Sequence, residues 1–509
     1  MNFESILFET AEDRPATRPE LPDFFIDLNL DQVVEAVVKG KEEYDLKPLF
    51  WHSLKRKGAI EYRHEVMREL EEQELTRIVE AFAKMMRTMR DYLTRCNRLS
   101  YYLQKQRWFL DAVDVYCDAV GSLYNDLSAT ELESRGFLAF REYLKGYANS
   151  ETFTSLRDKT RRLKDDIDAI DYCIQIKGKY FTVRRRESEI DYGADVEKTF
   201  ERFNQGNVSD YLATFPEPIE MNGIEESVLS AVAQLYPKIF HRLDEYCEQN
   251  TGFLDDTISS FDREVQFYTS YLALINSVKS EDLTFCYPEV LETSKEISQT
   301  ECFDLALAIK LMSEERPVIC NDYYLEGKER IFVVSGPNQG GKTTFARSFG
   351  QSHYLASLGC PVQGKEAKLF LFDRLFTHFE QEENVEDLRS KLEDDLTRIH
   401  GILNRATSRS IVIANEVLTS TTLNDAIFLG EKVMEIVSGI DLICIWVTFI
   451  EELVTYSDKA VSMVSMVDAE NPSIRTFKIK RRSPLGLSYA TALAEKYRLT
   501  YDSLRERIK

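Results

Sequence analysis

The stretch Ser335-Gly336-Pro337-Asn338-Gln339-Gly340-Gly341-Lys342-Thr343-Thr344 contains the pattern G-x-x-x-x-G-K-[ST]. Residues 331–334 form a short apolar run before it, which predicts a buried strand. Apolar residues at helical spacing follow it and predict a helix that runs to Leu358 and is stopped by Gly359 and Pro361. A glycine-rich loop between a strand and a helix is the context in which this pattern binds phosphate.

The residue types of this loop suit a nucleotide phosphate. Glycines allow backbone N–H groups to point inward, and the start of a helix favours negative charge. Lys342 is expected to reach the terminal phosphates, and the Thr343 hydroxyl is expected to ligate Mg²⁺. The predicted nucleotide-binding residues of the loop are Gly336, Pro337, Asn338, Gln339, Gly340, Gly341, Lys342, Thr343 and Thr344.

A second predicted strand supplies the polar groups that such a loop needs. Residues 411–414 are apolar, and Asn415 and Glu416 follow directly. Ligands bind at the carboxyl ends of strands in sheets of this kind. Glu416 is the candidate for polarising the attacking water, and Asn415 stands where an aspartate usually supports Mg²⁺. An asparagine brings no negative charge, so reduced metal affinity or turnover is expected.

A hydroxyl-rich segment, Thr419-Ser420-Thr421-Thr422, comes next. Such residues commonly cap the start of a helix. The alternative is that Ser420, Thr421 and Thr422 bind a phosphate held by a neighbouring subunit.

Composition narrows the class of protein. The 509 residues suggest roughly three domains. The nine cysteines show no metal-ligand spacing, and neither a secretory signal nor a membrane span is visible, which predicts reduced thiols and a cytoplasmic location. A net charge of −22 argues against general binding of polyanions, so any DNA contact must come from local basic patches.

The first 310 residues are mainly of helical character. No proline occurs between Pro48 and Pro216, which favours long uninterrupted helices. Two β-like runs flank Lys177-Gly178 and predict a hairpin. The triplet Arg184, Arg185 and Arg186 follows it as a candidate DNA contact. The alternative is a surface cluster paired with Asp165, Asp166 and Asp168.

From about residue 315 strands and helices alternate, which predicts a mainly parallel sheet with helices on both faces. Beyond the loop unit, a helix is expected from Glu386 to about Ala406 and another to about Val437, closed by Gly439. Further strands are expected at residues 411–414, 442–448, 461–467 and 474–479.

The loop Gly336-Pro337-Asn338-Gln339-Gly340-Gly341-Lys342-Thr343-Thr344 closely resembles that of the MutS family of DNA mismatch-repair ATPases. The resemblance continues through Tyr354-Leu355-Ala356-Ser357-Leu358-Gly359, Phe372-Asp373-Arg374-Leu375-Phe376-Thr377 and Gly486-Leu487-Ser488-Tyr489-Ala490. It is strong over about 315–509 and weaker over 25–310.

The resemblance implies an α/β P-loop ABC-type ATPase domain at the C-terminus, preceded by a mainly α-helical core and lever region with long helical arms. The implied domains are a helical core at 1–130, lever arms with a basic tip (about 155–190) at 131–310, and the ATPase domain with a dimerisation tail at 311–509. ATP and Mg²⁺ are the implied cofactors. A homodimer is implied, in which Ser420, Thr421 and Thr422 act on the nucleotide of the other subunit.

The chain departs from the family pattern at three places. Asn415 replaces an aspartate, Phe449 replaces a histidine after Thr448, and Val318 stands where an aromatic ring packs on adenine. Asn321, in contrast, matches a family nucleotide-binding position. No segment resembles the family's mismatch-reading domain, and the literal Phe-x-Glu match at Phe215 is taken as coincidence. We therefore expect no mismatch reading.

Two functions remain open at this point. One is a MutS-like ATPase whose nucleotide-driven dimer closure moves the arms on double-stranded or branched DNA. The other is a nucleotide-switched scaffold with weak or no hydrolysis that recruits a protein partner. The ATPase subunit of a membrane transporter is disfavoured by the long arms and by the lack of a transporter signature.

Overall fold

The computed structural model describes residues 3–186, 220–312, 314, 316–380, 391–468 and 474–482. Two compact units are present. The first comprises residues 1–72, 133–138 and 263–509, and the second comprises residues 73–132 and 139–262. The three-domain division expected from the sequence stays a prediction.

In the described residues of the first half of the chain, all elements are helical apart from one hairpin. Its elements, in chain order, are α1 (Phe24–Asp27), α2 (Leu30–Val38), α3 (Lys47–Phe50), α4 (Lys57–Leu70), α5 (Gln73–Arg98), α6 (Tyr102–Ala129), α7 (Arg135–Ala148), α8 (Glu151–Asp168), β1 (Tyr172–Lys177), β2 (Tyr180–Arg185), α9 (Gly223–Leu235), α10 (Pro237–Gln249) and α11 (Asp256–Val278).

Strands and helices alternate in the second half. Its elements are β3 (Phe285–Cys286), β4 (Glu289–Leu291), β5 (Ile297–Cys302), α12 (Leu305–Met312), β6 (Asn321–Leu325), β7 (Ile331–Ser335), α13 (Lys342–Ser357), β8 (Val362–Gln363), β9 (Glu366–Phe370), β10 (Leu375–His378), α14 (Lys391–Arg405), β11 (Ile411–Asn415), α15 (Leu423–Ile440), β12 (Ile443–Val447), β13 (Ala460–Val467) and β14 (Arg475–Arg481).

A six-stranded sheet organises the first unit. Its strand order is β10-β11-β12-β7-β13-β14, and every pair is parallel except β13 with β14. β7, β11 and β12 are buried along their whole length, which explains their continuous apolar sequences. Phe332 packs on Phe349 of α13, whereas Val412 and Trp446 share a core with α14 and α15. Helices therefore cover both faces, as predicted.

A second sheet was not foreseen from the sequence. Its order is β4-β9-β5-β6, with β4 parallel to β9 and the other pairs antiparallel. These strands are short and carry many polar residues, so periodicity alone does not distinguish them from loops.

The second unit is built on paired helices. α5 and α6 pack along their length, and the rings of Tyr92 and Trp108 meet edge to face at 4.9 Å. Phe140 stacks on Phe261 with ring centroids 3.6 Å apart. The predicted hairpin is confirmed, because β1 and β2 pair in antiparallel register around Gly178, whose φ is +63°.

Two predicted helix ends differ in outcome. α13 ends at Ser357, and Gly359 follows with a φ of +70°, as predicted. The prediction that Gly439 closes α15 is wrong, because the helix continues to Ile440 and Asp441 takes the left-handed conformation at φ +64°. Lys295, Arg330 and Lys459 bind the Asp441 carboxylate, which offsets the cost of that conformation. The first residues of the helix predicted from Glu386 lie outside the described residues.

We predict that alanine has opposite effects at these two glycines. Gly359→Ala forces a positive φ on a side chain whose Cβ would lie 2.8 Å from Arg63 Cβ, so the free energy of unfolding should fall by about 1–3 kcal/mol. Gly439→Ala meets open space inside a helix and should raise it by up to about 1 kcal/mol. Urea unfolding of both variants measures the change in the free energy of unfolding. Equal changes would contradict the left-handed conformation of Gly359 and the helical conformation of Gly439.

Candidate nucleotide site

The loop between β7 and α13 is shaped by glycines at a close contact with β13. Gly336, Gln339 and Gly341 have φ values of +117°, +59° and +88°. A Cβ on Gly336 would lie 2.9 Å from Ser465 Cβ, and a Cβ on Gly340 would lie 2.3 Å from Ser465 Oγ. Only glycine therefore fits at these two positions without displacing β13.

Ser465 holds the loop in place. Its side chain is 1% exposed, and its Oγ donates a hydrogen bond of 2.7 Å to the carbonyl of Gly340. Sequence reasoning missed this residue. A serine inside the apolar run of residues 460–467 was the available signal, because a buried hydroxyl requires a partner.

Lys342 lies at the start of α13 and is 5% exposed. Its Nζ donates to the carbonyls of Gly336 at 3.0 Å and Pro337 at 3.1 Å, so it lies across its own loop. Burial lowers the pKa of Lys342, the negative charge of Glu416 opposes this shift, and the positive charge of Arg475 adds to it.

The structure brings the predicted metal-binding pair together. Thr343 Oγ1 donates a hydrogen bond of 3.0 Å to Asn415 Oδ1, and Asn415 is the last residue of β11. Glu416 follows with a φ of +56°, and its N–H donates to the carbonyl of Val447 at 2.9 Å. The sharp bend after β11 thus turns the chain at the carboxyl end of the sheet.

These residues fit Mg²⁺ only in part. They offer a hydroxyl, an amide oxygen and the Glu416 carboxylate, which are the oxygen donors that Mg²⁺ prefers. Over the described part of the chain, no group of three or more His, Cys, Asp and Glu side chains could hold a metal by itself. Phosphate oxygens of a bound nucleotide would have to complete such a site.

A cavity of about 430 Å³ adjoins the loop and has two chemically different parts. The polar part is formed by residues 339–344 and Glu416. The other part is mixed: Leu307, Leu311, Pro317, Ile319 and Phe477 are apolar, whereas Lys310, Glu314, Arg316 and Asn321 are charged or polar. Apolar walls with a few polar groups are typical of small-ligand sites.

Phe477 was not recognised from the sequence. It lies on β14, is 46% exposed and has a φ of +56°. A Cβ on Gly341 would approach its ring to 3.6 Å, so the ring lies directly beside the phosphate loop. Val318 stands where the MutS-family pattern has an aromatic ring that packs on adenine. It does not line the cavity, although Pro317 and Ile319 do.

Asn321 lines the cavity and also binds β14. Its Nδ2 donates to the carbonyl of Phe477 at 3.2 Å, and its Oδ1 accepts from the N–H of Ile479 at 2.7 Å. These two bonds position the backbone of Phe477. A direct contact between Asn321 and a nucleotide stays a prediction.

The hydroxyl-rich segment after Glu416 does not line this cavity. Thr422 caps α15, because its Oγ1 accepts from the N–H of Asp425 at 3.3 Å and donates to the Asp425 carboxylate at 2.7 Å. Ser420 is exposed and Thr421 is half-buried. Their action on a second subunit stays a prediction.

The predicted DNA-binding arginines belong to the second unit. Arg185 donates to the carbonyl of Leu235 at 2.7 Å and lies over the ring of Tyr236 at 4.7 Å. Arg186 lies 3.8 Å from Asp171. Arg184 is exposed on β2 opposite Cys173.

Two of the three acidic residues expected to pair with this cluster have other partners. Asp166 binds Arg242 at 2.6 Å, and Asp168 binds Arg107 at 3.3 Å. The basic face of α8 in turn binds α6, where Lys164 lies 3.5 Å from Asp111 and Arg161 lies 3.4 Å from Asp118.

Comparison with known proteins supports the resemblance. Residues 332–497 match the family model "MutS domain V". This part of the chain is similar to the MutS family. Relatives named DNA mismatch repair protein MutS include those of Chlorobium phaeobacteroides, 25% identical over 47% of this chain and 25% of the relative, and of Zymomonas mobilis, 31% identical over 32% and 19%. The chain thus matches about a quarter or less of the length of these relatives.

The region that matches the family model has two other notable positions. Thr448 is buried, its N–H donates to the carbonyl of Val334 at 3.0 Å, and its Oγ1 accepts from the N–H of Ile450 at 3.0 Å. The ring of Phe449 is 49% exposed.

Within the residues that the structure describes, no helix is long and apolar enough to cross a membrane.

We predict that Ser465→Ala weakens nucleotide binding. The change removes the bond to Gly340, and loss of such a hydrogen bond costs about 1 kcal/mol, or roughly fivefold in affinity. Titration with a fluorescent ATP analogue measures the effect. Ser462→Ala, on the same strand, is the matched control and should bind as the unchanged protein does. Equal affinities for all three proteins would contradict the role of Ser465.

Proposed function

We propose that this MutS-family chain binds and hydrolyses ATP at the phosphate loop. The observation that carries the proposal is the convergence of Lys342, Thr343 with Asn415, and Glu416 at the carboxyl ends of β7 and β11. A P-loop, a lysine, a hydroxyl and an acid at the end of another strand of the same sheet are the parts that phosphoryl transfer to water requires.

Each residue has a distinct proposed role. Backbone N–H groups at the start of α13 and the ammonium of Lys342 bind the β- and γ-phosphates. Lys342 has to leave the carbonyls of Gly336 and Pro337 to reach them, and its burial strengthens the new contact by excluding water. Glu416 accepts a hydrogen bond from the attacking water and orients it. Thr343 and Asn415 would hold Mg²⁺, which neutralises charge that develops on the phosphates.

The apolar part of the cavity is proposed to take the nucleoside. Phe477 offers a ring face beside the loop, and Leu311 and Ile319 offer aliphatic walls. Aromatic side chains stack well on flat heterocycles. Asn321 supports this arrangement because it fixes the backbone on both sides of Lys478.

A wider role on DNA is proposed from the family. The relatives carry the name DNA mismatch repair protein MutS, and the resemblance of the loop to that family implies a dimer. We infer that two copies close around ATP, that Ser420, Thr421 and Thr422 complete the site of the other copy, and that the helical unit contacts DNA near Arg184 and Arg186. Absence of mismatch reading stays a prediction from the sequence.

A second candidate is a nucleotide-switched scaffold. Asn415 is neutral where a carboxylate would support the metal, and Phe449 cannot donate a hydrogen bond as a histidine can. Both features slow hydrolysis without preventing binding. In this case ATP binding itself, rather than turnover, would change the state of the protein.

We predict that Asn415→Asp accelerates ATP hydrolysis at least several-fold, because the added charge strengthens metal binding beside the γ-phosphate. Lys342→Ala should abolish turnover. The matched control is Asn404→Asp, which adds the same charge on an exposed face of α14. Steady-state phosphate release measures all three. Unchanged turnover in Lys342→Ala would refute the site, whereas binding without turnover in both the original protein and Asn415→Asp would favour the scaffold.

We predict that Arg184→Ala with Arg186→Ala weakens DNA binding and reduces the salt slope of the affinity by about two, since each lost phosphate contact lowers it by about one. Arg185 is left intact because it holds Leu235 and Tyr236. Lys39→Ala with Lys328→Ala removes two exposed cations of the first unit as the control. Anisotropy with labelled duplex and branched DNA over a salt series is the measurement. An unaltered slope would exclude these arginines.

A further inference from the structure

A second cavity of the first unit, about 380 Å³, has no part in the nucleotide site. The segment before α1, the segment after α3 and the start of β10 surround it. Leu21 is 46% exposed at its edge, and Phe24 and Trp51 are half-buried. We call this cavity the aromatic groove, and its apolar lining is Leu21, Phe24, Trp51, Phe372, Phe376 and Ile402.

The base of the aromatic groove is rigid. Phe24 and Phe25 each meet the ring of Tyr354 at 5.2 Å, and the Tyr354 hydroxyl donates to the carbonyl of Phe50 at 2.8 Å. Tyr354 lies on α13, which is buried along most of its length. The apolar walls are therefore held open by the packed core rather than by a mobile loop.

Three cations, Lys55, Arg374 and Arg405, line the groove, and the charge of Arg409 acts on Lys55. Within the described residues none of these four forms an ion pair. Lys55 Nζ donates to the carbonyl of Asp373 at 2.8 Å and lies over the Phe372 ring. Arg374 donates to the carbonyl of Arg405 at 3.0 Å, and Arg405 lies over the Phe376 ring at 5.2 Å. Arg409 donates to the carbonyl of Leu371 at 3.4 Å.

Two carboxylates at the groove compensate this charge only in part. Asp373 accepts hydrogen bonds from Thr407 Oγ1 at 2.6 Å and Ser410 Oγ at 2.8 Å, so its oxygens face the protein. Asp23 also lines the groove. Burial lowers the pKa of Lys55, Asp373 opposes this shift, and Arg409 and Arg374 add to it, which shows that the cations lie within range of one another.

We propose that the aromatic groove binds an acidic protein segment that carries a short apolar anchor of one or two side chains. The apolar walls enclose a volume suited to a single anchor, and the cations above them can pair with carboxylates on either side of it. Such a local positive excess stands out on a chain of net charge −22.

A nucleic acid fits the aromatic groove less well. A single strand needs a line of cations along its backbone and open ring faces for its bases. Here the cations gather around one concavity, and Leu21, Pro22 and Ile402 close it with aliphatic groups. The strong negative charge of the chain also disfavours a long polyanion more than a short acidic segment.

The test uses the full-length protein and a fluorescein-labelled peptide, Asp-Glu-Asp-Glu-Phe-Leu-Glu-Asp-Glu-Asp. Anisotropy should show saturable binding that weakens with salt. A peptide with Ala-Ala in place of Phe-Leu should bind at least tenfold more weakly, because the anchor is lost. No saturable binding of the first peptide, or equal binding of both peptides, would overturn the proposal.

Variants connect the binding to the groove. Arg374→Glu with Arg405→Glu should weaken binding of the first peptide at least tenfold, and Leu21→Asp should also weaken it. Lys39→Glu with Lys328→Glu reverses two exposed charges elsewhere on the unit and should bind as the unchanged protein does. Thermal melting of each variant checks that it is folded.

The competing ligand is tested in parallel. A labelled ten-nucleotide single strand should bind more weakly than the peptide and should be insensitive to Arg374→Glu with Arg405→Glu. Tighter binding of the oligonucleotide, lost in that double variant, would assign the groove to nucleic acid and overturn the proposal. Peptide binding that survives the double variant would overturn it too.

Discussion

The contact between Ser465 and the phosphate loop is the constraint on which the nucleotide site depends. β13 lies beside β7 in parallel register, with Val464 opposite Ser335, so the strand brings Ser465 against the loop that leaves β7. The hydroxyl fixes the carbonyl of Gly340, and the Cβ leaves room only for glycine at 336 and 340. The shape of the loop is therefore set by a strand more than 120 residues later.

The same arrangement explains which parts of the site the sequence could predict. The loop pattern and Asn415 with Glu416 are local signals, because a strand followed by a polar turn can be recognised in a few residues. Phe477 carries no such signal, and the serine in the apolar run of β13 indicates only that the Ser465 hydroxyl needs a partner. The roles of both residues arise when β13 and β14 join the sheet. At Gly439 a local signal misleads, because the glycine predicts a helix end but α15 continues to Ile440. The helix instead ends at Asp441, whose carboxylate binds three cations from other parts of the chain.

In each of the two units, the ion pairs that basic residues form in the fold decide whether they can bind an anionic ligand. The sequence composition does not show these pairs. The basic run on α8 looks like a ligand-binding surface in the sequence, yet Arg161 and Lys164 bind acidic residues of α6. Lys55 and Arg374 do not stand out as a binding surface in the sequence, yet each donates to a backbone carbonyl, Lys55 lies over the Phe372 ring, and nearby carboxylates compensate their charge only in part. Cations that lack a carboxylate partner attract an anionic ligand more strongly than paired ones do.

Electrostatics also separate nucleotide binding from hydrolysis at this site. Lys342 is buried, which lowers its pKa. The negative charge of Glu416 raises its pKa, and the positive charge of Arg475 lowers it. Asn415 is 8% exposed, and its Oδ1 accepts a hydrogen bond from Thr343 Oγ1. Its amide group adds no negative charge. The positive charges of Lys342 and Arg475 attract an anion whether or not a metal is present. A divalent cation, in contrast, binds weakly to these residues unless phosphate oxygens of a nucleotide also ligate it. The loop geometry therefore favours the proposed binding of a nucleotide, and the neutral residue at 415 would limit the proposed hydrolysis.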